Sequence, residues 1–124
     1  MAGVFVLLMI FANQATQGAV TASNKFINAM QAKDSGQAYG LFSKEAKETV
    51  TSEEFDAMVQ RIAPILNTEE KMKDKSVTSE TGKATTGKVV YEIKGSDAKT
   101  YTLTVNLVKQ DDNWKVQNFE SNAE

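Results

Sequence analysis

The hydrophobic period of this chain changes once, at Asn67, and that change limits its fold more than any other feature. Before Asn67, apolar residues recur every three to four positions, as on one face of an α-helix. After it they alternate, as on a strand with one buried face. The clearest helical stripe is Phe55, Met58, Val59, Ile62 and Leu66. Just ahead of it, Thr51 and Glu54 have capping-box spacing, and Glu53 and Glu54 suit the positive start of a helix. Pro64 ends or kinks that helix in its last turn. An earlier stripe of Ala19, Ala22, Phe26, Ala29 and Met30, with Val20 and Ile27 beside it, predicts a helix over about residues 16–33. Asp34 and Gln37 make a capping pair, after which Ala38, Leu41, Phe42 and Ala46 keep helical spacing and predict one further helix.

Beyond Asn67, residues 71–80 are polar, with Lys71, Lys73 and Lys75 on one parity, the pattern of an edge strand guarded by charge. Val89, Tyr91 and Ile93 alternate with Lys88, Val90, Glu92 and Lys94. Tyr101, Leu103, Val105 and Leu107 alternate with Thr100, Thr102, Thr104 and Asn106, the best strand signal in the chain. Thr81-Gly82, residues 95–99 and Asp111-Asp112-Asn113 read as turns, and Trp114 and Val116 begin a last strand that ends near Phe119. Helices followed by antiparallel strands define an α+β class. The expected architecture is N-terminal helices packed on a curved antiparallel sheet of about four strands. The covered face should carry Tyr91, Ile93, Tyr101, Leu103, Val105, Leu107, Trp114 and Val116.

The opening MAGVFVLLMIFANQATQGAV carries no charge, and none appears before Lys25. As a helix, residues 2–12 reach only about 16 Å at ~1.5 Å per residue, about half of a ~30 Å hydrocarbon core. Three readings compete: the tail of a transmembrane helix, the apolar region of a signal peptide, and a core helix. The first is preferred, because a core helix normally shows polar gaps and a signal peptide a basic leader. The chain then divides into an anchor-like helical segment over 1–17, running on into the next helix, and one α+β domain over 18–124. Each large apolar side chain left in water forgoes ~1.5–3 kcal/mol. Val4, Phe5, Leu7, Leu8 and Phe11 are therefore expected to meet lipid or a second molecule.

Composition removes several chemistries. The chain has no His and no Cys, so the commonest general base and metal ligand, disulfides and thiolate sites are all absent. Net charge is −2 with no basic stripe, which argues against nucleic-acid binding. Glu92 is the only acid in the centre of a convincing strand, and its alternation points it to solvent. Asp111-Asp112-Asn113 lacks the ligand set of a calcium loop. No catalytic residue, metal site or cofactor is assigned. Phe42, Met58, Tyr91, Tyr101 and Trp114 are the candidates to line a pocket, if they do not simply build core.

KFINAMQAKDSGQAYGLFS and the closing DDNWKVQNF resemble the nuclear transport factor 2-like, or cystatin-like, α+β fold over roughly residues 18–120. The likeness rests on the cluster Ala38, Tyr39, Leu41 and Phe42, and on the turn followed by Trp114, Lys115 and Val116. In particular the chain resembles small bacterial members of unknown function that follow a single membrane anchor. The resemblance implies helices wrapped by a curved sheet, often around a cavity. Enzymes of the superfamily use Asp or His there, a pattern this His-free chain does not carry in full. The expected function is that of a membrane-anchored, extracytoplasmic, non-enzymatic domain for protein interaction or small apolar ligands, self-associating through its opening segment when out of lipid. A cavity enzyme or small-ligand carrier is the first alternative, and a scaffold subunit of a secretion or surface assembly the second.

Overall fold

The computed structural model describes residues 7–10, 13–66, 70–80 and 82–123. Its elements are β1 (Leu7–Ile10), α1 (Asn13–Gln31), α2 (Ser35–Gly40), α3 (Lys44–Thr49), α4 (Ser52–Ile62), β2 (Glu70–Glu80), β3 (Thr86–Lys94), β4 (Thr100–Gln110) and β5 (Asn113–Ala123). The strands form one antiparallel sheet in chain order, and the helices cover one of its faces. The α+β class is as expected, with four long strands and a short fifth.

Local chemistry sets the helix starts. Thr51 caps α4 reciprocally: its hydroxyl accepts from Glu54 N at 3.1 Å, and its own N–H donates to the Glu54 carboxylate at 3.0 Å. These bonds hold the Glu54 carboxyl below its usual range. Asp34 caps α2, its Oδ1 accepting from Gln37 N at 3.2 Å. The single helix expected after Asp34 is instead two. Ser43 caps α3 through Ala46 N, and the Leu41–Ser43 connector docks on β5: Val116 N donates to Leu41 O at 2.7 Å and Ser43 N to Val116 O at 2.8 Å. Helical spacing persists across this break because Ala38, Phe42 and Ala46 all face the core. α4 ends at Ile62, and the β3–β4 loop holds the Pro64 turn through Ser96, whose N–H donates to Ile65 O and whose hydroxyl donates to Pro64 O.

The core forms where the α1 and α4 stripes meet the alternate residues of β3 and β4. Phe26, Ile27, Phe55, Val59, Val89, Tyr91, Ile93, Leu103, Val105, Leu107 and Val116 are all essentially inaccessible. Tyr101 and Trp114, expected on the covered face, are only half-buried. Two bulges correct the simple alternation. In β5, Val116 opposes Leu107 while Asn118 opposes Asn106, so Gln117 is extra and Phe119 shares the covered face, opposite Val105. In β2 the register shifts between Met72 and Asp74. Lys71 then opposes Glu92 on the outer face while Lys75 opposes Val89, so the three lysines do not share one side.

The expected helix over the opening segment is overturned at Leu7–Ile10, which form β1 and pair with β2 from Leu7↔Glu80 to Ile10↔Val77. A short apolar run has no period that separates strand from helix, and the backbone of Val77–Glu80 provides pairing partners for it. Leu7 and Leu8 therefore lie at the end of the sheet, whereas Val4, Phe5 and Phe11 lie outside the described residues. Among the described residues no helix is long and apolar enough to cross a membrane.

Candidate functional site

The space between helices and sheet is the first place to look for a ligand, and it is filled with phenylalanine. Phe26, near the middle of α1, stands 5.5 Å from Phe42, 6.1 Å from Phe55 and 5.3 Å from Phe119, centroid to centroid. Phe42 and Phe55 meet edge to face at 4.8 Å, and Tyr39 closes the cluster 5.6 Å from Phe42. The Tyr39 hydroxyl donates to Val50 O at 2.8 Å, which ties α2 to the start of α4. An apolar void between α1, α4 and the sheet, lined by Ile27, Met30, Ile62, Ala63 and Leu66 among others, measures about 10 Å³. That is about the space of one water, and its lining offers no polar group aimed inward.

The five pocket candidates are not brought together. Phe42 belongs to the aromatic cluster, and Met58 is half-buried on α4 against the core. Tyr91 is buried under α1: its hydroxyl donates to Asn24 Oδ1 at 2.6 Å and meets the Ser23 hydroxyl at 2.9 Å. Burial pushes its phenol up to about 12, with Glu70 adding to the shift. Tyr101 sits at the far end of β4 and donates to the Asp97 carboxylate within the β3–β4 loop. That bond lowers the Asp97 carboxyl and raises the Tyr101 phenol. Ser23 and Asn24 went unread in the sequence, because a polar pair inside an amphipathic helix gives no sign of the strand hydroxyl it will meet.

Trp114 alone faces an open space. Its indole lies across two glycines: a Cβ on Gly18 would come within 2.7 Å of indole Cδ1 and Nε1, and one on Gly87 within 3.2 Å of Cζ3. The sequence shows Gly18 only as a weak point in a helix; the structure shows it as the seat of a ring. The hairpin before Trp114 turns through Asp111 and Asp112, both with positive φ (50° and 64°), the signature of a tight two-residue turn. Between α1 and this hairpin runs an open groove of about 590 Å³, lined by Gln17, Thr21 and Lys25 on one side and Asn113, Trp114 and Lys115 on the other. Among the described residues no group of three acidic side chains is placed to hold a metal ion.

Residues 12–121 match the family described as a domain of unknown function, DUF4864. The chain belongs to that family. No curated protein matches it. Two of the solved structures that resemble this DUF4864 domain are of proteins of unknown function. One is a protein of unknown function from the DUF3225 family of Pectobacterium atrosepticum SCRI1043, 14% identical, with a TM-score of 0.59 over 91% of this chain and 93% of that one. The other is an NTF2-like protein of unknown function from Pseudomonas putida KT2440, 11% identical, with a TM-score of 0.57 over 93% and 90%. At such identities the likeness is one of fold: the domain has the NTF2-like fold, as the resemblance carried by Ala38, Tyr39, Leu41 and Phe42 and by the closing Trp114, Lys115 and Val116 implied.

Proposed function

We propose that this DUF4864 domain is a non-catalytic interaction module that works through its surfaces. The observation carrying this reading is the interior occupied by Phe26, Phe42, Phe55 and Phe119. A cavity enzyme or carrier of this fold needs enclosed room with converging polar groups, and a ligand entering here would have to displace packed rings at several kcal/mol each. Two of the buried polar residues already serve the fold: Ser23 meets Tyr91, and Ser43 caps α3.

The surface proposed for self-association is the uncharged opening segment. Among the described residues β1 ends the sheet, and an uncharged terminal strand is a template for further pairing. Sedimentation velocity of the full chain against a chain beginning at Asn13 tests this. The full chain should associate with concentration and the shorter one, with its CD spectrum retained, should stay monomeric; two monomers would refute it. Attachment of the same segment to a membrane, with the domain on the extracytoplasmic side, is the corresponding proposal for location, resting on the absence of charge before Lys25. Flotation with phosphatidylglycerol–phosphatidylcholine vesicles tests attachment; a full chain that stays at the bottom of the gradient as the shorter one does would refute it.

A further inference from the structure

The seating of Trp114 has a cost that packing alone does not explain. Glycine inside a helix or strand is less stable there than alanine. The chain places one in α1 and one in β3, each against the same indole. A ring needed only for the core would then be covered. Trp114 stays half-exposed and forms a wall of the groove. Gln17, Thr21 and Lys25 stand at i, i+4 and i+8 on α1 and make one ridge along the trough. Asn113 and Lys115 flank the ring on β5, behind the tight turn. The result is an apolar plate edged by an amide on each side, a hydroxyl, two ammonium groups and the Asp112 carboxylate. Its volume lies in the range of about 300–1,000 Å³ typical of small-ligand sites.

That arrangement selects a ligand with one apolar face, a rim of hydroxyls and a negative charge. We propose that the groove binds an acidic saccharide: a pyranose whose C–H face lies on the Trp114 indole, whose hydroxyls meet Gln17, Thr21 and Asn113, and whose carboxylate is drawn to Lys25 and Lys115. Asp112 at the rim and the net charge of −2 disfavour a dense polyanion such as nucleic acid, but tolerate one carboxylate per ring. The groove uses no residue before Asn13, where the shorter chain of the self-association test begins, so it stands or falls apart from that reading.

Trp114 is the only tryptophan of the chain, so intrinsic fluorescence reports on this groove alone. The full chain is titrated with trigalacturonate and with neutral maltotriose, by fluorescence and by calorimetry. Trigalacturonate should give a saturable signal, with maltotriose at least fivefold weaker. The K25Q/K115Q double variant, altered on the rim only, should keep its melting temperature and lose at least tenfold in affinity for the acidic sugar. No saturable signal by either method, equal affinity for the two sugars, or undiminished binding by the variant would each overturn the proposal.

Discussion

Replacing Gly18 with alanine sets two physical effects against each other. Gly18 lies inside α1, and Gly→Ala at such a position ordinarily stabilises a helix by ~1 kcal/mol. Here the new Cβ would stand 2.7 Å from two indole atoms of Trp114, a distance that real Cβ contacts essentially never show. The ring cannot simply slide away, because its other end rests against Gly87 and Ala19 occupies the space beside that glycine. Overpacking of this kind costs roughly 1–3 kcal/mol. The net expectation for Gly18→Ala is a loss of ~1 kcal/mol, or about 4 °C in Tm for a chain of this length. With Trp114→Leu in place the clash is gone and the same Gly18→Ala change should gain ~1 kcal/mol. The sign therefore inverts, with a coupling of ~2 kcal/mol between the two positions. Urea unfolding followed by far-UV CD reads all four proteins, including those without tryptophan. If Gly18→Ala stabilises both backgrounds equally, the indole does not rest on Gly18 and the account of its seat is wrong.

Two other expectations are narrower. The Tyr91 phenol is raised to about 12, so its neutral form belongs to the folded state: its contribution to stability is complete below pH ~10 and is lost as pH rises through 12. An ultraviolet tyrosinate titration should show one of the three tyrosines ionising near 12, and Tyr91→Phe should remove it; a normal midpoint would contradict its burial beneath α1. Thr51→Ala removes one half of the capping box on α4 and should cost ~1 kcal/mol by urea denaturation, whereas Thr51→Ser should cost little; equal losses would mean that the methyl and not the hydroxyl matters there.

The class and core of this domain were legible in the sequence because periodicity records burial. The stripes on α1 and α4 and the alternation of β3 and β4 named nearly every inaccessible residue. What periodicity cannot carry is a change of register. Phe119 has the wrong parity to join Val116 until the extra residue at Gln117 turns it inward beside Phe26. Lys71 and Lys75 lie on one parity until the shift before Asp74 separates them. The break at Phe42 and Ser43 was hidden because two short helices on one sheet can bury the same three positions as one long helix. The partners of Trp114 left no trace for a different reason. A glycine declares what it lacks, and only the fold shows which ring lies in the space where its side chain would have been.

The opening segment is where local and global arguments meet. The outer edge of β2 is treated in two ways along its length. Over Val77–Glu80 it is covered by β1. Over Glu70–Ser76 it carries Lys71, Lys73 and Lys75 together with a register shift, which are both recognised devices against pairing with another chain. Covering one edge with a strand creates another edge, and the new one belongs to a run with no charge at all. The lysines that discourage pairing on β2 have no counterpart on β1. The asymmetry gives the proposed self-association a direction: contact should begin at β1 and not at the lysine-bearing stretch of β2. A crosslink between cysteines placed at Leu8 of two copies should therefore form readily, and one between cysteines placed at Lys73 should not; the reverse outcome would move the interface to the guarded edge and refute the argument from charge.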